Sequence, residues 1–182
     1  MGKKVLVVVD VQNDFVKDGA LGYGFPKESN TNAIIGYVTD AVLNGDYVVA
    51  TRDTHHGNYL ETLEGKKLPV QHCIHQTKGW ELVFGLNALA RDGKIVVFDK
   101  PTFGTPLIAQ FVKGLMDGGE EISEIELLGY CTSICVASNA IMLRAHFPNK
   151  KITVRQSLCG DIDEESHKAA LKVLANQQID II

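Results

Sequence analysis

Six short runs rich in Val, Ile and Leu constrain this chain more than any other feature: Lys4–Val9, Tyr47–Thr51, Ile95–Phe98, Glu124–Leu128, Lys151–Arg155 and Ile179–Ile182. They show little apolar–polar alternation. A strand with one solvated face alternates, whereas a strand buried on both faces of a parallel sheet does not. Amphipathic stretches lie between the runs. Asn30–Asn44 carries Ile34, Val38, Ala41 and Val42 and ends at Gly45, a C-capping residue. Thr105–Met116 ends near Gly118-Gly119, Cys135–Phe147 stops before Pro148, and Asp163–Asn176 opens on acidic residues suited to a helix N-terminus. This alternation predicts an α/β fold with right-handed crossovers and helices on both faces of a parallel sheet. One domain spanning 1–182 accommodates all of it, since two separate cores would be cramped at 182 residues. The one long irregular segment runs from Asp53 to about Gly79, with Gly57, Gly65, Pro69 and clustered histidines. Insertions of that length in a compact domain are often functional.

Charge and cysteine usage exclude several classes. The net charge is -4 and the lysine pairs Lys3-Lys4, Lys66-Lys67 and Lys150-Lys151 are isolated, so no basic stripe is available to neutralise phosphates. The apolar run Val5–Val9 is too short for a signal segment or a membrane span, which points to a cytoplasmic protein without a membrane partner. Cys73, Cys131, Cys135 and Cys159 form no C-x-x-C pair, so neither a zinc ribbon nor a thioredoxin-type motif is present. Disulfides are not expected in a reducing compartment.

Ligands of open α/β sheets bind at the carboxyl ends of the strands. Here the first run ends at Asp10, the second at Arg52-Asp53-Thr54-His55, the third at Asp99-Lys100, and the fourth leads into Gly129–Cys135. Each residue has a plain reading when taken singly: a buried cysteine, a strand-end aspartate, a lysine before Pro101. Their coincidence on one rim suggests chemistry. Cys135 falls where a turn enters a helix, and a helix N-terminus with a nearby ammonium would lower its thiol pKa and make it a nucleophile. Asp10 suits a general base and acid, and Lys100 suits a cation that holds both in register. Asp53 and His55 are two residues apart and point the same way in extended chain; His72 would complete a three-ligand set. Such N/O ligation suits a divalent metal ion, Zn, Fe or Mn, with positions left open for water or substrate. His56, His75, His146 and His167 compete as ligands by residue type.

These segments resemble the isochorismatase-like cysteine hydrolases, in particular the nicotinamidase/pyrazinamidase branch, over nearly the whole chain. Asp10–Phe15 is similar to the opening D-x-Q-N-D-F, Thr51–His55 to T-x-D-x-H, and Leu68–Cys73 to the W-P-x-H-C segment. Asp99–Phe103 is similar to the segment with the catalytic lysine, and Gly129–Val136 to G-x-x-T-D-x-C-V. The resemblance implies a three-layer α/β/α fold with a six-stranded parallel sheet. It implies a catalytic Asp10/Lys100/Cys135 triad and an oxyanion hole from the backbone N–H groups of Cys131 and Cys135. It further implies a non-proline cis peptide at Tyr130-Cys131, a metal held by Asp53, His55 and His72, and substrate contacts from Phe15, Leu68 and Tyr130. In the family the metal binds the pyridine nitrogen of the substrate, and members often assemble as homo-oligomers.

Two positions depart from the pattern: Ser133 replaces the Asp of the nucleophile motif, and Leu68 replaces a Trp that stacks on the pyridine. Tyr23, Trp80 and Phe103 are aromatic candidates for that lost stacking. The expected reaction is hydrolysis of a small-molecule amide, nicotinamide or pyrazinamide first. The alternatives are another amide, carbamoyl or ureido compound, or a thiol redox or sensor role for Cys131 and Cys135.

Overall fold

The computed structural model describes residues 2–16, 18–26 and 28–182. Its core is a six-stranded sheet in the order β3-β2-β1-β4-β5-β6, every pair parallel. The strands are β1 (Lys3–Val9), β2 (Tyr47–Asp53), β3 (Val96–Lys100), β4 (Ile122–Tyr130), β5 (Lys151–Gly160) and β6 (Asp180–Ile181). All six predicted runs are strands, and the cause is visible in β1: Val5 to Val9 have no exposed surface, so neither face needed polar residues. β4 and β5 extend past their apolar runs to Tyr130 and Gly160, which the sequence pattern did not mark. β6 shrinks to two residues, held by β5 alone.

The helices are α1 (Thr31–Leu43), α2 (Leu63–Lys67), α3 (Phe84–Arg91), α4 (Leu107–Asp117), α5 (Ala137–His146) and α6 (Glu164–Asn176). Right-handed crossovers put α1 with α3 on one face and α4, α5 and α6 on the other, giving three layers. α6 begins as predicted, with the Asp163 carboxylate accepting the Ser166 N–H at 2.7 Å. α3 went unpredicted because only Leu86 of its eight residues is buried, too short an apolar stripe for periodicity to register. The irregular segment after β2 contains only a 3₁₀ turn, Tyr59–Glu61, and the short α2.

The connections that follow neighbouring β1 and β4 run to opposite halves of the sheet, the switch point at which α/β folds open a crevice. The two strands approach closely there. Gly129 has φ +121°, and a Cβ on it would lie 2.1 Å from the Val9 carbonyl oxygen, so only glycine fits.

Candidate active site

Asp10 leaves β1 in the left-handed region at φ +50°. Its backbone N–H donates to Thr51 Oγ1, whose hydroxyl donates back to Asp10 Oδ1 at 2.7 Å. Lys100 ends β3, paired in register with Asp53. Its Nζ lies 2.7 Å from Asp10 Oδ2, 3.2 Å from Asp53 Oδ1 and 3.6 Å from Cys135 Sγ. Lys100 and Asp10 have 0% exposure, so these contacts are made out of water. The structure thus brings together all three residues of the expected triad.

Cys135 belongs to a π-helical turn, Thr132–Val136, that precedes α5 instead of opening it. The peptide between Tyr130 and Cys131 is cis. The ammonium pulls the thiol pKa down, as expected from sequence, but its pull is outweighed. Burial, and then the Asp10 carboxylate, push the Cys135 thiol well above its ordinary range against the opposing Lys100 charge. Burial likewise raises Asp10, opposed by Lys100. Burial would lower Lys100, but Asp10, Cys135 and Asp53 outweigh it and keep the lysine firmly protonated. Burial thus favours the neutral form of each partner, while Lys100 favours negative charge on either one.

Asp53, at the end of β2, faces His55 and His72 as expected. His55 Nε2 lies 2.9 Å from Asp53 Oδ2, and His72 Nε2 lies 3.5 Å from the same oxygen. A fourth donor, Glu64 of α2, stands 3.5 Å from His55 Nε2 and 3.8 Å from His72 Nε2. One ligand atom from each of the four lies within 4.8 Å of all the others. The donor chemistry fits a divalent cation. His72 Nδ1 donates to the Val70 carbonyl at 2.8 Å, which leaves the Nε2 lone pair facing the carboxylates. Burial would raise Asp53, but its close contacts with His55 and His72 and the Lys100 charge hold it well below the usual carboxylate range. Glu64 was missed because it lies on a five-residue helix. Its only sequence signal is Thr62, whose hydroxyl caps that helix by accepting from the Gly65 N–H.

Three further residues fix this geometry from the opening motif. Gln12 is fully buried; its Nε2 donates to Asp53 O at 2.8 Å and its Oε1 accepts the Asp53 N–H at 2.7 Å. Asn13 Nδ2 donates to Lys78 O, and Asp14 Oδ2 accepts the Cys73 N–H. The motif that supplies Asp10 therefore also fastens the irregular segment carrying the metal donors.

Above Cys135 opens a cavity of about 250 Å³. Asp53, Glu64, His72, Cys131 and Cys135 share its wall with Phe15, Leu21, Tyr23, Leu68, Phe103 and Ile134. Leu68 and Phe103 are 39% and 43% exposed, so they form the outer wall. Tyr23 and Phe103 stand on the wall, but Trp80 does not: its ring lies under the Arg52 guanidinium and its Nε1–H donates to Thr54. Tyr130 is not among the lining residues; its ring packs against Tyr23 and its hydroxyl donates to Asn30 at 2.6 Å. Asn139, overlooked in the sequence, ties two walls together by donating to Phe103 O and Cys135 O while accepting the Thr105 N–H. All four cysteines are free, and burial raises the Cys131 thiol to about 12.

An isochorismatase family protein of Bacillus subtilis, PncA, is 30% identical over 179 residues, covering 96% of this chain and 95% of its own. The crystal structure of a pyrazinamidase/nicotinamidase from Streptococcus mutans superposes with a TM-score of 0.81 at 28% identity, over 99% of this chain and all of that one. A pyrazinamidase of Pyrococcus horikoshii solved in complex with zinc superposes at 0.76 with 25% identity, over 99% and 98% of the two chains. The isochorismatase domain, as a family, matches residues 4–182. No strand of the sheet and no residue of the site falls outside that match except Lys3 at the edge of β1, and the chain belongs to the isochorismatase family.

Proposed function

We propose that this protein hydrolyses the carboxamide of a small aromatic amide, nicotinamide first and pyrazinamide second, releasing the acid and ammonia. The observation that carries the reading is the buried contact of Lys100 Nζ with Asp10 Oδ2 at 2.7 Å and Cys135 Sγ at 3.6 Å, at the base of the cavity. Because the thiol is held high, it needs a base, and the Asp10 carboxylate, which shares the Lys100 ammonium with it, is placed to serve. Asp10 takes the thiol proton as sulfur attacks the amide carbon. The oxyanion is received by the backbone N–H groups of Cys131 and Cys135. Asp10 then gives the proton to the departing nitrogen, the C–N bond breaks, and ammonia leaves a thioester. Water attacks the thioester, Asp10 takes its proton, and the thiol is regenerated as the acid departs. Lys100 stays protonated throughout and balances whichever of Asp10 and Cys135 is negative.

Asp53, His55, Glu64 and His72 would hold the cation, zinc in the first instance, in keeping with the zinc complex of the Pyrococcus relative. When bound, the cation would supply a Lewis-acid site for a ring nitrogen of the substrate. Phe15 and Leu68 border the ring on the cavity wall, with Tyr23 and Phe103 as the further aromatic surfaces.

The test is ammonia release from nicotinamide and pyrazinamide by zinc-loaded protein, run beside Cys135→Ala. Turnover by the wild type that is lost in the variant is expected, with zinc content near one equivalent in both. Full turnover by Cys135→Ala would overturn the mechanism. Absence of turnover by the wild type on either amide would overturn the substrate.

A further inference from the structure

A further buried carboxylate lies behind the nucleophile turn, and the chemistry above does not use it. Asp161 immediately follows β5 and has no exposed surface. Its Oδ2 accepts the Ser133 backbone N–H at 2.8 Å. Its Oδ1 accepts the Ser133 hydroxyl at 2.8 Å and its neighbour's Ile162 N–H at 2.9 Å. Its main chain is tied as firmly, donating to Phe25 O and accepting from the Gly24 and Phe25 N–H groups. One residue thus joins the end of β5, the 24–25 loop and the turn that carries Cys135.

The turn has few other anchors. The Ile134 and Val136 N–H groups both converge on Cys131 O, inside the turn itself. From outside, the Thr132 hydroxyl donates to Gly160 O and meets His167 Nδ1 at 2.8 Å, and Asn139 Nδ2 donates to Cys135 O at 2.8 Å. Ser133 lies two residues before Cys135, so any rotation of its peptide re-aims both the thiol and the N–H groups around it. We infer that Asp161 is a positioning residue: its carboxylate fixes the peptide and hydroxyl of Ser133, and through them the direction of the Cys135 thiol. This rests on Cys135 being the nucleophile, as proposed above.

The chemistry calls for a carboxylate specifically. Three donors share its two oxygens, and an amide at this position would present its own NH₂ to one of them. The geometry also allows the carboxylate to come from the opposite side. Ser133 Oγ and Asp161 Oδ1 are in hydrogen-bond contact, so an aspartate at position 133 would carry its carboxylate into the same space.

The experiment uses the zinc-loaded full chain and the set Asp161→Asn, Asp161→Ala, Ser133→Asp and the double variant Asp161→Ala/Ser133→Asp. For each, kcat and KM for ammonia release from nicotinamide are measured together with zinc content. The rate of Cys135 alkylation by iodoacetamide, followed by peptide mass spectrometry across pH, gives a readout independent of substrate. Asp161→Asn and Asp161→Ala are expected to lower kcat by about 10–100-fold, as an ångström-scale misplacement does, with KM and zinc content nearly unchanged. Their alkylation is expected to be slower, with a displaced pH profile. Ser133→Asp alone sets two carboxylates in contact and is expected to be impaired. The double variant is expected to recover about ten-fold or more over Asp161→Ala, because it restores one carboxylate to the same place. Wild-type kcat and alkylation in Asp161→Asn would overturn the proposal. So would a folded double variant no better than Asp161→Ala. Should Asp161→Ala fail to fold, the isosteric Asn variant decides the matter by its kcat-against-KM split. Should the wild type release no ammonia from nicotinamide, the substrate reading fails, and the alkylation series alone decides the role of Asp161.

Discussion

A lysine with 0% exposure is among the rarest of buried groups, and Lys100 survives burial because two carboxylates and a thiol surround it. Removing the cation leaves Asp10 and Asp53 buried as neighbours without their counter-charge. Lys100→Met, which keeps the apolar stem, is expected to lower stability by about 3–5 kcal/mol in urea unfolding. It is also expected to lower ammonia release by about 10³-fold or more, as loss of one member of a catalytic triad does. The sequence made this residue legible through its place at the end of the third strand and the resemblance of Asp99–Phe103; its burial and its contact with Asp53 are products of the strand register. His167 carries a different consequence. Burial holds its pKa below 6.5, with Asp161 opposing the shift, so the folded state keeps it neutral where the unfolded chain has begun to protonate. The stability it confers is complete above about pH 6.5 and is lost as pH falls from there toward the depressed folded value. The slope of unfolding free energy against pH over that acidic interval is expected to be shallower in His167→Asn than in the wild type. Equal slopes would show that His167 does not titrate differently on folding.

The elements divide into those that sequence pattern reveals and those that tertiary contacts create. The strands were legible because a doubly buried strand can hold only apolar residues, and β1 does so from Val5 to Val9. α2, α3 and the π-helical turn were not, since each is too short to show a period and is held by contacts distant in sequence. The same limit hid Glu64 and Asp161, whose partners lie on other segments. Glycines give a contrast that tests the element scale directly. Gly129 sits where β4 passes β1 with φ +121°, and a methyl group there would strike the Val9 carbonyl. Gly129→Ala is expected to cost about 3 kcal/mol or more, strain and clash combined. Gly36 lies inside α1, and a Cβ added to it would meet nothing within 4 Å. Gly36→Ala is expected to stabilise by about 0.5–1 kcal/mol, because the unfolded chain loses freedom that the helix never used. Thermal unfolding of the two variants should move in opposite directions. A shared direction would mean that the close approach of β1 and β4 is not what holds the switch point.

At the scale of the molecule, the site is a closure between a rigid sheet and one long excursion. Asp53 stands on β2, whereas His55, Glu64 and His72 belong to the segment between β2 and α3. That segment has little regular structure of its own and is fastened by Gln12, Asn13 and Asp14 on one side. A cation shared by the four donors would fasten it on the other. The unfolded chain cannot assemble this donor set, so the cation stabilises the folded state by mass action, about 2.7 kcal/mol at a hundredfold excess over Kd. In a chain of this size each kcal/mol moves Tm by roughly 2–4 °C, so chelation with EDTA is expected to lower Tm by about 5–10 °C. Hydrogen exchange should localise the loss: amides between β2 and α3 lose protection, while those of β1 and β4, buried at the sheet centre, keep theirs. Restoring zinc should reverse both changes. A Tm indifferent to chelation, in protein shown to have carried zinc, would mean that the opening motif alone holds the segment. The four donors would then serve substrate orientation without contributing to the fold.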